Sequence, residues 1–192
     1  MTQLTTTNDL VHAFAFYYGK STYFYFMIQQ GKVADYISGF SMVPHPEGGY
    51  YASTYRHDIQ WNGHSGIGMR VRPLATAIYY LLPSGQVSRL HHLLSDEIWF
   101  YHDGCPLVIH TFPPEGEYTA IHLGLDVCLG HVPQVVLSPK TVFGAEPAAP
   151  DSFCLVSCVV VPGFDFADFS FADKDALKER YPLQSQMIDR LG

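Results

Sequence analysis

The chain is poor in charge. Only 15% of its 192 residues are Asp, Glu, Lys or Arg, and the formal net charge is -7. No cluster of lysines and arginines occurs along it. That excludes a nucleic-acid polymer as partner, because phosphate neutralisation needs clustered basic side chains. One or two arginines still suffice for a diphosphate. Cysteine is scarce too: Cys105, Cys128, Cys154 and Cys158 show no zinc-finger spacing. They read as reduced thiols, which fits a cytoplasmic protein. Cys154 and Cys158 fall on one face of a strand and are expected as small buried hydrophobes. No long unbroken apolar run exists either. The stretch "HAFAFYYGKSTYFYFMI" is interrupted by Gly19, Lys20 and Ser21, too often to span a bilayer, so no membrane partner is expected. No Lys or Arg precedes Lys20, so the start lacks the basic region of a secretory signal. Residues 1–33 read as an N-terminal extension that adds packing or a dimer contact.

What the chain does have is apolar and aromatic surface. Hydrophobic residues make up 47% and aromatics 15%, with 13 Tyr and 13 Phe. That composition belongs to a globular protein and favours strands over a helical bundle. The spacing predicts a short helix near Val33–Ser41 and then a succession of strands. "GGYYASTYR", "ATAIYYLL", "QVSRLHH", "DEIWFYH", "PLVIHTF" and "SFCLVSCVVV" are separated by Gly, Pro, Asp and Ser turns, among them the hairpin signal Asp103-Gly104. The stretch Arg56–Gly68, with three glycines, reads as a loop. "DKDALKERY" (Asp173–Tyr181) is expected as a closing helix, stopped by Pro182. The result is an all-β sandwich or barrel with a few short flanking helices, one domain over residues 34–192.

Strand alternation sorts the side chains. Val87, Arg89, His91 and Leu93 share one face, and Ser88, Leu90 and His92 the other. On the next strand Glu97, Trp99 and Tyr101 go together. Two consecutive strands thus bring His91 and Glu97 together in a pocket. Histidine is a base near neutral pH, and a neighbouring carboxylate orients it. Arg89, on the same face, is placed to grip an anion. Tyr50, Tyr51 and Tyr55 are candidates for stacking on a ring, and Glu47 in the "PEGG" turn for a sugar hydroxyl. Arg70 and Arg72, two apart, are either surface charge or a phosphate grip. A metal normally wants three or four protein ligands. His91 and Glu97 are in frame, and His110 or a cysteine would be needed to complete a set.

Gly85, His91, Leu93, Glu97 and Gly104 resemble the first motif of the cupin superfamily, with leucine in place of the second histidine. In the second motif Pro139 fits, but Thr141 stands for the glycine and Gly144 for the histidine. "HPEGGYY" (His45–Tyr51), "TAIYYLL" (Thr76–Leu82), "SDEIW" (Ser95–Trp99) and "VVVPGFDFADF" (Val159–Phe169) are similar to one branch of that superfamily, an uncharacterised domain-of-unknown-function branch called cupin-five. That branch usually has Arg where this chain has His92.

The resemblance implies a cupin double-sheet jelly-roll barrel with an internal pocket, and a homodimer. In shape it points to nucleotide-sugar epimerases of the dTDP-4-dehydrorhamnose 3,5-epimerase type, metal-free cupins that abstract a proton beside a ketone with a histidine base. Their phosphate-binding arginine has Gly48 at its place here. The expected ligand is therefore a nucleoside diphosphate or nucleotide-sugar, the expected chemistry epimerisation or isomerisation, and no cofactor is required. His91 and Glu97 are the candidate catalytic pair. Glu47, Tyr50, Tyr51, Ser88, Arg89, Trp99, Tyr101 and His110 are the candidate ligand-binding residues. Two alternatives stay open: a metal-dependent phosphosugar isomerase-type cupin with a divalent ion at His91 and Glu97, and a non-catalytic binding or storage module.

Overall fold

A computed structural model describes residues 29–65 and 68–192. Residues 1–28 of the expected N-terminal extension lie outside the described residues. In chain order the strands are β1 (Val43–Pro44), β2 (Tyr50–Arg56), β3 (Gln60–Ser65), β4 (Gly68–Pro73), β5 (Thr76–Pro83), β6 (Ser88–His92) and β7 (Asp96–Gly104). They continue as β8 (Leu107–Phe112), β9 (Thr119–Leu123), β10 (Gln134–Leu137), β11 (Val142–Pro147), β12 (Phe153–Val161) and β13 (Ser170–Phe171). Residues 29–39 form helix α1, and α2 (Lys174–Arg180) and α3 (Ser185–Leu191) close the chain.

Two sheets face each other. One has the order β1-β2-β5-β12-β7-β10, the other β13-β6-β11-β8-β9, and β3 with β4 forms a separate hairpin. The pairings within these sheets are antiparallel. This is the jelly-roll sandwich that the sequence suggests, with one correction. The glycine-rich stretch after Arg56 is not a plain loop, because Gln60–Ser65 pairs residue for residue with Gly68–Pro73.

Alternation along β12 explains both faces of the first sheet. Cys154, Val156 and Cys158 point inward and join Tyr80, Trp99, Ile109 and Phe143 in the central core. Phe153 and Leu155 point outward, where Val33 of α1 and Met42 cover them. Each such side chain contributes about 1.5–3 kcal/mol on full burial. The outer face of the second sheet is covered from the C-terminus. Leu90 and Phe112 pack there against Leu177, Ile188 and Leu191. Helix α2 starts where expected: Asp173 accepts hydrogen bonds from the backbone N–H groups of Asp175 and Ala176, at 3.0 and 3.2 Å. Helix α3, past Pro182, continues beyond the point where the sequence suggests that helix stops.

One irregularity in this frame matters for the site. β11 pairs Phe143 with His91 and Ala145 with Ser88. Two steps on β11 therefore face three on β6, which is a β-bulge. The bulge puts Ser88 and His91 on the same inner side and turns Arg89 out.

Candidate functional site: an acid-lined cavity

The turn between β1 and β2 is the first component. Gly48 and Gly49 have φ of 115° and 68°, a backbone region open to glycine. A Cβ on Gly48 would lie 2.1 Å from the Val87 carbonyl oxygen. Three contacts hold the turn against the sandwich. The Tyr80 hydroxyl donates to the Gly48 carbonyl at 2.8 Å, the Gly49 N–H donates to Gln86 Oε1 at 2.9 Å, and the Arg89 N–H donates to the Glu47 carbonyl at 3.0 Å. That clamp pushes the Glu47 side chain into the interior, where the residue is only 6% exposed.

Glu47, not Glu97, is the carboxyl that His91 meets. Nε2 of His91 lies 3.3 Å from Glu47 Oε1, and Ser88 Oγ donates to Glu47 Oε2 at 3.1 Å. Nδ1 of His91 lies 2.6 Å from the Arg89 carbonyl oxygen. A carbonyl only accepts, so Nδ1 carries the proton and Nε2 offers its lone pair. The ring is wedged between Phe143 and Phe169, at centroid distances of 4.3 and 5.2 Å. Burial holds its pKa down at about 3. Burial pushes Glu47 well up, the nearby Glu97 adds to this, and the Ser88 hydrogen bond opposes it. Burial thus favours the neutral form of both groups, and the lone pair at Nε2 is complementary to a protonated Glu47.

Glu97 and Glu47 both line a cavity of about 230 Å³ between β2, β5, β7 and β12. Glu97 is 7% exposed, and its Oε2 is buried without a hydrogen-bond partner. Burial lifts its pKa to about 7, while the neighbouring Trp99 N–H and Cys158 thiol pull the other way. His45 also lines the cavity. Its Nδ1 accepts from the Glu47 N–H at 3.3 Å, and burial lowers its pKa to about 4. Tyr51, Ile78, Leu93 and Val160 supply further wall. Arg56 and Phe166, both exposed, mark the mouth. Among the described residues Arg56 is the one arginine or lysine that lines the cavity.

Of the expected site residues, Glu47, Tyr51, Glu97 and Trp99 face this cavity, and Ser88 and His91 stand behind Glu47. Four are displaced. Arg89 is exposed, its guanidinium 4.2 Å above the Phe171 ring, because the bulge reverses its side. Tyr50 alternates outward from Tyr51 and packs against the cluster around Phe153. Tyr101 packs against the core, with its hydroxyl 2.5 Å from the Gly104 carbonyl. His110 meets Tyr118 at 2.9 Å and Glu146 at 3.2 Å, and Arg190 of α3 grips that same glutamate. Arg70 and Arg72 are not a phosphate grip. Both pair with Asp168, Arg72 through two bonds of 2.9 and 2.8 Å. His45, Arg56 and Cys158 are cavity residues that sequence reasoning missed. His45 in "HPEGG", Arg56 at the end of "GGYYASTYR" and Cys158 in "SFCLVSCVVV" all lie in segments that the sequence singles out, but none of them reads there as a site residue.

A divalent ion does not fit. The residues at the motif positions are Leu93, which lines the cavity, and Gly144, where even a Cβ would come 2.9 Å from the Ser88 carbonyl oxygen. Among the described residues no three His, Cys, Asp or Glu side chains are grouped to hold a metal.

A twisted double-sheet roll with a polar cavity inside one end defines a cupin-type protein. The chain belongs to the cupin superfamily family DUF985, whose model matches residues 34–172. It is 33% identical over 155 residues to the uncharacterized protein YML079W of Saccharomyces cerevisiae, covering 74% of this chain and 76% of that one. The solved structure of protein SO0799 from Shewanella oneidensis is 37% identical, with a TM-score of 0.72 over 82% of this chain and 95% of that chain. A hypothetical protein from Leishmania major is 32% identical, with a TM-score of 0.73 over 82% and 96%. Among the described residues no helix is long and apolar enough to cross a membrane.

Proposed function

We propose that the cavity binds a sugar-sized carbonyl compound and moves a proton on it, as an epimerase or isomerase does. The observation that carries this is two buried carboxyl groups lining one cavity, Glu97 lifted to about 7 and Glu47 pushed well above the usual carboxylate range. Acid–base sites are recognised by such separated pairs. In this arrangement the Glu97 carboxylate takes a proton from the carbon beside the carbonyl. Glu47, protonated, returns one. His91 touches no substrate. Its lone pair and the Ser88 hydroxyl position the Glu47 carboxyl. Positioned general acid–base help is worth about 10²–10⁴ in rate.

The cavity volume, about 230 Å³, is below the usual range for drug-sized ligands. It suits one sugar ring, not a whole nucleotide-sugar. A phosphate or nucleoside diphosphate would lie at the mouth, where Arg56 offers a charge and Phe166, 61% exposed, a stacking surface. The homodimer and the cytoplasmic setting belong to the same proposal.

Purified full-length protein, incubated in D₂O with keto- and aldo-sugar phosphates and nucleotide-sugars, should place deuterium on carbon in at least one recovered compound. Binding without deuterium across the panel would make the protein a binding module instead.

A further inference from the structure

His45 lines the cavity, yet the proton movements proposed above give it no task. Its backbone is held both ways: the His45 N–H donates to the Gly49 carbonyl, and the His45 carbonyl accepts from the Gly48 N–H, each at 3.0 Å. Its ring stands edge-on to Tyr51 and Tyr80, at centroid distances of 4.8 and 5.4 Å. Nδ1 accepts from the Glu47 N–H at 3.3 Å. In the neutral ring the proton therefore sits on Nε2, away from that contact. Burial lowers the pKa to about 4, which leaves the ring neutral near pH 7. There it donates a hydrogen bond without giving its proton up. Three other donors of the lining are engaged elsewhere. The Tyr80 hydroxyl donates to the Gly48 carbonyl at 2.8 Å, and the Trp99 N–H and the Cys158 thiol serve Glu97.

We infer that His45 is the residue that holds the ligand's carbonyl oxygen, its Nε2–H donating a hydrogen bond to that oxygen and to the charge that gathers on it. When the Glu97 carboxylate takes the proton beside the carbonyl, the C–H electron pair becomes a carbon–carbon double bond and the carbonyl π pair moves onto oxygen. When Glu47 returns a proton to carbon, the pairs move back. His45 keeps its own proton throughout. A neutral imidazole with one fixed donor polarises a carbonyl in this way. A donor fixed before the charge appears needs no reorganisation, and one such donor is worth about 10²–10³ in kcat. The ligand class is therefore a compound with a free aldehyde or ketone. This rests on the cavity holding a carbonyl compound, as proposed above, but not on turnover.

The probes are D-ribulose 5-phosphate and D-xylulose 5-phosphate, ketones that cannot close to a ring because phosphate occupies their last oxygen. Each is bound to the full chain with and without ¹³C at the carbonyl, and the difference infrared spectrum isolates the C=O band of the bound ligand. The expected band lies at lower frequency than in solution, because a hydrogen bond to oxygen weakens the C=O bond. Two variants separate this role from a structural one. His45→Asn keeps a near acceptor for the Glu47 N–H and lacks the far donor. His45→Gln places an N–H at the reach of Nε2. His45→Asn should return the band towards its solution frequency and slow deuterium incorporation by about 10²–10³, with Kd within about threefold of wild type. His45→Gln should keep the lowered band and lose less than about tenfold in rate. A wild-type band at the solution frequency for both ketones would overturn the inference, as would the absence of any bound band. So would a His45→Asn variant with the wild-type band and rate. Should either variant fail to fold, the wild-type band decides alone. A lowered band without deuterium incorporation would remove the proton-transfer proposal and leave this one standing. Deuterium incorporation with an unshifted band would do the reverse.

Discussion

Glu47 Oε1 lies 3.3 Å from Nε2 of His91, while the other nitrogen of the same ring is 2.6 Å from the Arg89 carbonyl. Burial pushes both groups towards their neutral forms, lowering His91 and raising Glu47, because desolvating two charges costs more than an imperfect pairing returns. Replacing His91 by Ala would remove the ring between Phe143 and Phe169 and open a void beside a carboxyl group. The expected loss is about 3 kcal/mol, measured by urea unfolding. His91→Gln, which keeps a polar group of similar reach, should lose less. A loss under about 0.5 kcal/mol for the alanine variant would mean that the pair is not buried as described.

Glu97 and the two histidines pull stability in opposite pH directions. The Glu97 carboxyl has its pKa at about 7 in the fold, against an ordinary value of 4.5. Between those values the folded chain keeps a proton that the unfolded chain has released. Stability therefore falls as pH rises through that window, by about 3 kcal/mol in all, and the loss persists above it. Glu47, also raised by burial, acts in the same sense. His45 and His91, at about 4 and about 3 against an ordinary 6.5, do the reverse. The unfolded chain binds those protons first, so stability rises with pH until about 6.5. The contributions offset one another between about 4.5 and 6.5 and separate on either side. Melting temperature should be highest on that plateau and fall above it. Glu97→Gln, neutral at every pH, should flatten the alkaline decline and melt higher than wild type at pH 8. An unchanged alkaline slope would place the Glu97 carboxyl in contact with water.

Gly48 is the hinge on which Glu47 enters the interior. Its φ of 115° and the 2.1 Å approach to the Val87 carbonyl oxygen leave no room for a methyl group. Gly48→Ala should cost more than about 3 kcal/mol, since strain and a backbone clash add. Any folded fraction should have lost the Tyr80–Gly48 hydrogen bond and the position of Glu47. Gly85, with a φ of 76° but open space around it, is the control. Gly85→Asn should cost about 1 kcal/mol or less.

Arg89 and His110 separate what alternation can tell from what it cannot. The inward row Cys154, Val156, Cys158 on β12 is legible because its strand is regular and flanked on both sides. The jelly roll follows from many such strands. On β6 the same rule fails. The Arg89 N–H bonds to the Glu47 carbonyl at 3.0 Å, a contact between segments distant in sequence, and the bulge it accompanies reverses the side chain. No local pattern carries that information. The β3–β4 hairpin was hidden for a similar reason, since its glycines read as breakers until a partner strand is known. Leu93 and Gly144 did show in sequence that a ligand set was incomplete, but not that Glu47 would stand beside His91. Since Arg89 and His110 lie outside the cavity, Arg89→Ala and His110→Gln should bind every probe within about threefold of wild type by calorimetry, a difference below 1.4 kcal/mol. A tenfold loss for either would place the ligand on the outer face of the second sheet.

Arg56 lines the same cavity as Glu47. Among the described residues its side chain takes part in no ion pair, and it is exposed. An exposed, unpaired guanidinium beside an acid-lined cavity attracts the anionic part of a ligand and turns the remainder inward. A charge-assisted hydrogen bond of this kind is worth about 1.5–3 kcal/mol, or about 10- to 100-fold in affinity. Arg56→Ala should therefore weaken binding of a phosphorylated sugar by that factor and leave the unphosphorylated sugar unchanged. Arg56→Lys should recover only part of the loss, since an ammonium cannot make the paired contact of a guanidinium. The wild-type affinity for the phosphorylated sugar should fall with added salt, and that of the variant should not, because the exposed contact is screened within a Debye length of about 10 Å at 0.1 M. Equal losses for charged and uncharged sugars would show that Arg56 shapes the mouth without reading charge.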